Sequence, residues 1–346
     1  MECHGQICTQ ECKEEASKCS LQCDSKNQCK QICKKNECDM ECHGQTCTQE
    51  CKEGASKCGL QCDSKKQCKQ ICKKEECDME CQGQNCRQEC IEGASKCSLQ
   101  CDSKEECKQT CKKDECDMKC HGQTCMQECI AGARNCSLQC DSKEQCNQIC
   151  EKSECGMECQ GQNCTQECKE GASKCSLQCD SKEQCKQICN KGDCSLVCHG
   201  HRCEQECKSD ANKCNLQCDS KHCEQICHKG DCTLECQGNS CRQQCNGNQN
   251  SCILQCPTAI GSNRCEQNCS PTEKCTKKNL SATKKLTTLA VTPKRTSVHY
   301  YPCKHFCTGE WSNCSCFFTT ELLSNTHNEN VLHTYMYTGR LTDRQK

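Results

Sequence analysis

Cysteine is the residue whose type and spacing could do most chemistry in this chain. It fills 60 of 346 positions, about 17%, well above the roughly 8–10% that marks a disulfide scaffold. A cysteine sulfur can bridge to another, hold a soft metal, or attack as a thiolate. The spacing is strict. Cys8-Thr9-Gln10-Glu11-Cys12 is followed by Cys19-Ser20-Leu21-Gln22-Cys23, then by Cys29–Cys33 around Gln31 and Cys38–Cys42 around Met40. Twenty-seven such Cys-x3-Cys blocks run from Cys8 to Cys269, and their centres alternate between Gln and Leu or Met.

A nucleophilic cysteine needs to be a singular, low-pKa thiol beside a base. Here every cysteine has many equivalents, so we expect no catalytic residue and no enzyme. Metal is the stronger rival. The cysteine density and missing aromatics are similar to metallothioneins, but those proteins lean on Cys-x-Cys, a spacing found here only at Cys314-Ser315-Cys316. Cys-x3-Cys is not a Cys-x2-Cys zinc knuckle either. The residue after each repeat's first cysteine is His4, His43, Gln82, His121, Gln160, His199 and Gln237 in turn. A position that exchanges His for Gln is poorly suited to be a required ligand. His201, His222 and His228 lie scattered in loops. We therefore expect no metal and no cofactor, and no phosphate loop among the single Gly-Gln turns.

The blocks must be positioned by short elements. On a strand, residues one, three and five share a face, so both cysteines and the central Gln, Leu or Met point inward. Outer positions such as Asp39, Glu41 and Lys30 are mostly polar. Two cysteines four apart on a strand lie roughly 13 Å apart at about 3.3 Å per residue, beyond the roughly 4.4–6.8 Å between Cα atoms that a disulfide needs. Each must pair outside its own block, whereas a helix would relax that restriction. Cys8, Cys12, Cys19, Cys23, Cys29, Cys33, Cys38 and Cys42 are thus candidates for structural disulfides in one repeat.

That repeat is 39 residues with eight cysteines, marked by Cys3, Cys42, Cys81, Cys120, Cys159 and Cys198, with a shorter step to Cys236. Seven copies fill residues 1–275, the first truncated and the last degraded. Polar loops rich in Asp, Ser, Asn and Gly separate the blocks and favour turns or positive φ. Residues 276–298 read as a Ser/Thr/Lys-rich linker and 299–346 as a small tail with every aromatic and four cysteines. The first 256 residues hold no aromatic and no proline. Cystine or metal thiolate must replace the missing apolar core.

The fold class expected is a small disulfide-rich repeat of short β-strands and turns, arranged as a cystine-filled β-solenoid. Gln centres would stack on one side and Leu/Met centres on the other, with ladders of Gln amides between coils. Thirteen coils would give a rod on the order of 60 Å at about 4.8 Å per coil. The alternative is a string of beads, four disulfides in each 39-residue unit. Eight cysteines allow 105 connectivities. Cystines confined within each unit would mark beads rather than a rod.

Charge excludes other classes. The 46 basic and 47 acidic residues are interspersed, which argues against nucleic acid and against an anionic membrane surface. No apolar run approaches a membrane span. There is no signal peptide, but Met1-Glu2-Cys3 aligns with Met40-Glu41-Cys42, so we expect an upstream segment missing from a chain that starts inside a repeat. Five sequons occur, at Asn135, Asn163, Asn268, Asn279 and Asn313. Asn279, expected in the linker, is the best candidate for a glycan, followed by Asn135 and Asn163.

The tandem pattern over residues 1–275 resembles the secreted cysteine-rich repeat proteins that carry keratin-associated-like names. The resemblance rests on Cys-x3-Cys spacing and composition. Those proteins usually carry Cys-Cys or Cys-Cys-x-Pro pairs, which this chain lacks, so no hair-keratin role is carried over. It implies an extracellular, crosslinked, structural protein. Its expected partners are further copies of itself or matrix components. The other readings are a thiol-rich metal binder and an extracellular binding module.

Overall fold

The computed structural model describes residues 1–12, 17–73, 75–91, 93–112, 114–130, 132–246, 251–257, 264–270, 274–280, 306–307 and 314–315. They contain strands and turns. The chain divides into two compact units, Met1–Lys284 and Lys285–Lys346.

The first unit is a parallel β-solenoid of about 13 turns. Its strands are β1 (Glu2–Cys12), β2 (Lys18–Cys72), β3 (Glu75–Cys90), β4 (Ala94–Cys111), β5 (Asp114–Cys129) and β6 (Ala133–Cys227). Shorter ones follow: β7 (Asp231–Cys236), β8 (Ser240–Cys245), β9 (Ser251–Pro257), β10 (Arg264–Cys269) and β11 (Cys275–Leu280). β2 and β6 run through several coils because the corners themselves keep the ladder. All these pairings are parallel, and like stacks on like: Cys8 on Cys29, Gln10 on Gln31, Cys58 on Cys77, Leu60 on Met79. In the second unit, β12 (Phe306–Cys307) pairs antiparallel with β13 (Cys314–Ser315).

The five-residue blocks behave as the period of two requires. In β7, Cys232, Leu234 and Cys236 are buried while Thr233 and Glu235 are half-buried and Asp231 is exposed. Lys, Glu, Gln, Asp and Ser are poor strand formers, so propensity does not select this fold. The stacked inward residues do.

The disulfides also settle why the repeat is 39 residues and not 20. Each cystine closes a corner, joining the last cysteine of one block to the first of the next. Corners at Cys12–Cys19 span seven residues and those at Cys33–Cys38 span five. On the other side, Cys23–Cys29 spans six and Cys42–Cys47 five. Long and short corners alternate, so successive Gln centres are separated by 21 and then 18 residues. The surplus residue of a longer corner is absorbed by a register shift, as between Asp63 and Gln67 or between Gly83 and Asn85. A short corner nests under a longer one so closely that a Cβ on Gly83 would sit 2.8 Å from the Ser64 carbonyl oxygen.

Two expectations need correction. All four cystines of a repeat do close within 39 residues, yet the backbone ladder runs on from repeat to repeat. Local cystines therefore do not separate beads from a rod, because hydrogen bonds, not disulfides, join successive coils. The linker does not start at residue 276 either. Thr276–Leu280 add a last parallel strand on β9, with Lys277 facing Leu254. Lys277 ends the apolar column with an exposed cation, and its Nζ donates to the Gln267 carbonyl at 2.8 Å. A polar terminal element of this kind shields the open end of a repeat array.

The five-residue corner of the Cys33–Cys38 flank imposes one more demand. Its third residue is left-handed in five copies: Asn36 (φ 62°), Glu75 (58°), Asp114 (51°), Gly192 (86°) and Gly230 (95°). An L side chain there costs about 1–2 kcal/mol. Glu75→Gly is expected to raise stability by about 0.5–1 kcal/mol after the extra entropy of an unfolded glycine. Guanidinium unfolding of the oxidised chain would measure it.

Candidate functional site

The interior is the place where reactive groups gather, and it has four columns. Twenty-eight disulfides take every cysteine from Cys3 to Cys275, with Cα atoms 6.0–6.7 Å apart and partners five to nine positions apart in the chain. They form two stacks, one on each flank. The first includes Cys12–Cys19, Cys33–Cys38 and Cys51–Cys58 and packs with the Leu/Met column and with inward Ala55, Ala94, Ala133, Ala172 and Ala211. The second includes Cys23–Cys29, Cys42–Cys47 and Cys62–Cys68, and its buried cluster is cysteine alone. Cystine thus lines both edges of the interior, while Gln faces Leu or Met between them.

The Gln column is an unbroken hydrogen-bond chain. Gln31 Nε2 donates to Gln10 Oε1 at 3.0 Å, Gln49 to Gln31 at 2.9 Å, and Gln70 to Gln49 at 2.9 Å. The chain continues to Gln243 and Gln267, the last step also at 2.9 Å. From Gln10 to Gln243 each amide also reaches across to backbone carbonyls of the Leu/Met sheet. Gln127 Nε2 donates to Met118 O at 2.9 Å and Gln139 O at 3.0 Å. Fully buried amides are tolerated because both their hydrogens and their oxygen find partners. Leu21, Met40, Leu60 and their equivalents through Leu234 are the largest fully buried side chains.

The second corner holds a column that sequence reading missed. Ser25, Ser64, Ser103, Ser142, Ser181 and Ser220 all point inward and are buried. The hydroxyls of Ser25, Ser64 and Ser181 lack a hydrogen-bond partner, whereas Ser103 Oγ lies 3.3 Å from Cys107 Sγ. The signal was the Asp-Ser-Lys that recurs after six of the Leu blocks; its serine and the alanine of Gly-Ala-Ser are the inward residues of their corners.

The described histidines are exposed or half-buried. His43 Nε2 lies 2.9 Å from Glu41, and the rings of His201 and His222 are 5.7 Å apart. His228 and Lys208 both bond Glu206, at 3.0 and 2.5 Å. Burial alone would raise the Glu206 carboxyl, but hydrogen bonds from Lys208 and His228 outweigh it and hold it below the usual range. Lys169 is held above its ordinary value by its hydrogen bond to Glu151. These are surface pairs of modest worth.

The glycan candidates fall in different settings. Asn135 is exposed and Asn163 half-buried, both within β6. Asn279 is exposed in β11 rather than in a linker. Asn268 donates to Glu266 at 2.8 Å, and Asn313 lies outside the described residues. Asn135 borders an open trough of about 620 Å³ lined by Lys96, Glu115, Glu154, Gly156 and Lys174. No helix among the described residues is long and apolar enough to cross a membrane.

No protein-family model, curated protein or solved structure matches this chain.

Proposed function

We propose that the chain is an extracellular structural protein: a cystine-braced, protease-resistant solenoid serving a matrix, coat or adhesive role. The observation that carries this reading is the use of every cysteine from Cys3 to Cys275 in a short-range bridge. Disulfides in that number persist where the surroundings are oxidising, and glutathione and thioredoxin remove them in the cytosol. The interior is occupied by cystine, Gln, Leu and Met packed against one another, which favours a scaffold over a reaction chamber. The outer faces repeat every two coils, and repeated faces suit many weak contacts with further copies or with matrix components.

Natural protein is expected outside cells, with near-zero free thiols. It is expected to resist trypsin despite its 46 Lys and Arg residues until a reductant is added. Antibody localisation with thiol counting checks this. Intracellular protein rich in free thiols would overturn it.

A further inference from the structure

The two cystine stacks have a property that a brace does not need. Sulfurs of successive coils crowd together in groups of three. Cys12, Cys19 and Cys38 have their Sγ atoms within 4.8 Å of one another, and so do Cys33, Cys51 and Cys58, and Cys72, Cys90 and Cys97. The second stack repeats the arrangement at Cys29, Cys42 and Cys47 and at Cys62, Cys68 and Cys81. All of these sulfurs are buried. In each trio two sulfurs come from one cystine and the third from the cystine of the adjacent coil in the same stack.

We propose that the stacks are redox-gated sites for soft d10 cations such as zinc or copper(I). Oxidised, they are cystine braces; reduced, they become columns of three-sulfur metal sites that tie adjacent coils together. This goes beyond the architectural role and concerns a second state of the same residues.

The chemistry balances with a named reductant. A dithiol delivers two electrons and two protons to each cystine, leaves as a cyclic disulfide, and produces two cysteine thiols. Each thiol that ligates a cation gives its proton to solvent, as metal thiolates require. Thiolate is the ligand that selects zinc and copper(I) over hard cations. Three sulfurs no more than 4.8 Å apart surround a point about 2.8 Å or less from each, against a Zn–S bond of about 2.3 Å. For such a site the two sulfurs released from one cystine must part from bonding distance to about 4 Å, while the third, on the adjacent coil, closes to about 4 Å from each. Burial suits zinc better than copper(I), since a divalent cation offsets two of the three thiolate charges that the interior would otherwise reject.

Topology makes the claim specific. A cystine joins consecutive strands of the chain across a corner. A trio joins one coil to the next. Metal should therefore rebuild the stack of coils, and not merely coat a loose thiol-rich chain.

The full chain would be reduced by excess dithiol, freed of reductant without oxygen, and titrated with cadmium as a zinc analogue. Cadmium–thiolate absorbance reports binding, and far-ultraviolet circular dichroism reports strands. The expected result is that both rise together, with most of the oxidised chain's strand signal returning at saturation. Saturating absorbance with no regained strand signal would overturn the proposal, as would absence of cadmium–thiolate absorbance. If the reduced, metal-free chain already kept its strands, cystine dependence of the fold would fail separately. The metal proposal would then stand or fall on the absorbance alone.

Discussion

Reduction of the oxidised solenoid is expected to abolish its strand signal and open it to protease. Each cystine closes only five to nine residues, and loops of that size contribute about 2 kcal/mol apiece in the chain-entropy account. Twenty-eight of them together are worth on the order of tens of kcal/mol, more than the roughly 5–15 kcal/mol net stability of an ordinary domain. Little else can take over. The first 256 residues carry no aromatic, and the large buried apolar side chains are one Leu or Met per coil. Gln amides satisfy one another only after the coils are stacked, since each bonds a residue 18 to 24 positions away. Dichroism before and after a dithiol, with trypsin digestion alongside, checks the expectation. A reduced, metal-free chain with unchanged strands and unchanged digestion would contradict it.

Gln127→Glu is expected to be the most damaging single substitution of similar size. Gln127 is fully buried. Its Nε2 faces three acceptors: Gln109 Oε1 at 2.8 Å, Met118 O at 2.9 Å and Gln139 O at 3.0 Å. Its Oε1 accepts from Gln148 at 2.8 Å. A carboxylate would keep the last bond and turn the other three into repulsions. An uncompensated buried charge costs about 3–5 kcal/mol. Gln127→Met removes the hydrogen bonds without adding charge and is expected to cost nearer 1–2 kcal/mol. The pH dependence separates the two. The folded glutamate would have a raised pKa, because both burial and the surrounding carbonyls oppose ionisation. Below the unfolded carboxyl pKa of about 4.3 both states are protonated and that penalty vanishes. It grows as pH rises from there toward the folded pKa and is then constant. Guanidinium midpoints of the two variants at acid and neutral pH would show Glu recovering in acid and Met unchanged. Equal midpoints at neutral pH would rule out a tightly enclosed ladder.

The blocks were readable in the sequence because a period of two leaves no freedom. With cysteines at one and five and Gln or Leu at three, one face is chosen, and alternating centres imply two sheets. Stacked Gln amides follow from that. The corners were not readable in the same way. Which cysteine meets which depends on how tightly Cys12 to Cys19 or Cys33 to Cys38 can turn, and block spacing alone does not contain it. The left-handed residue at Asn36, Glu75 and Asp114 was hidden because four different residues, with Ser153 the fourth, occupy that corner position before Gly192 does. Lys277 escaped notice because it stands where composition already reads as linker. Its role depends on a strand pairing five residues past the last repeat cysteine.

The most direct test of sulfur as the substitute core is a cystine map of natural, unreduced protein. Peptides should be linked only across corners, as Cys12 to Cys19, Cys23 to Cys29 and Cys33 to Cys38, repeating to Cys269 with Cys275. Cysteines found mostly as free thiols, or bridged between distant blocks, would contradict the claim.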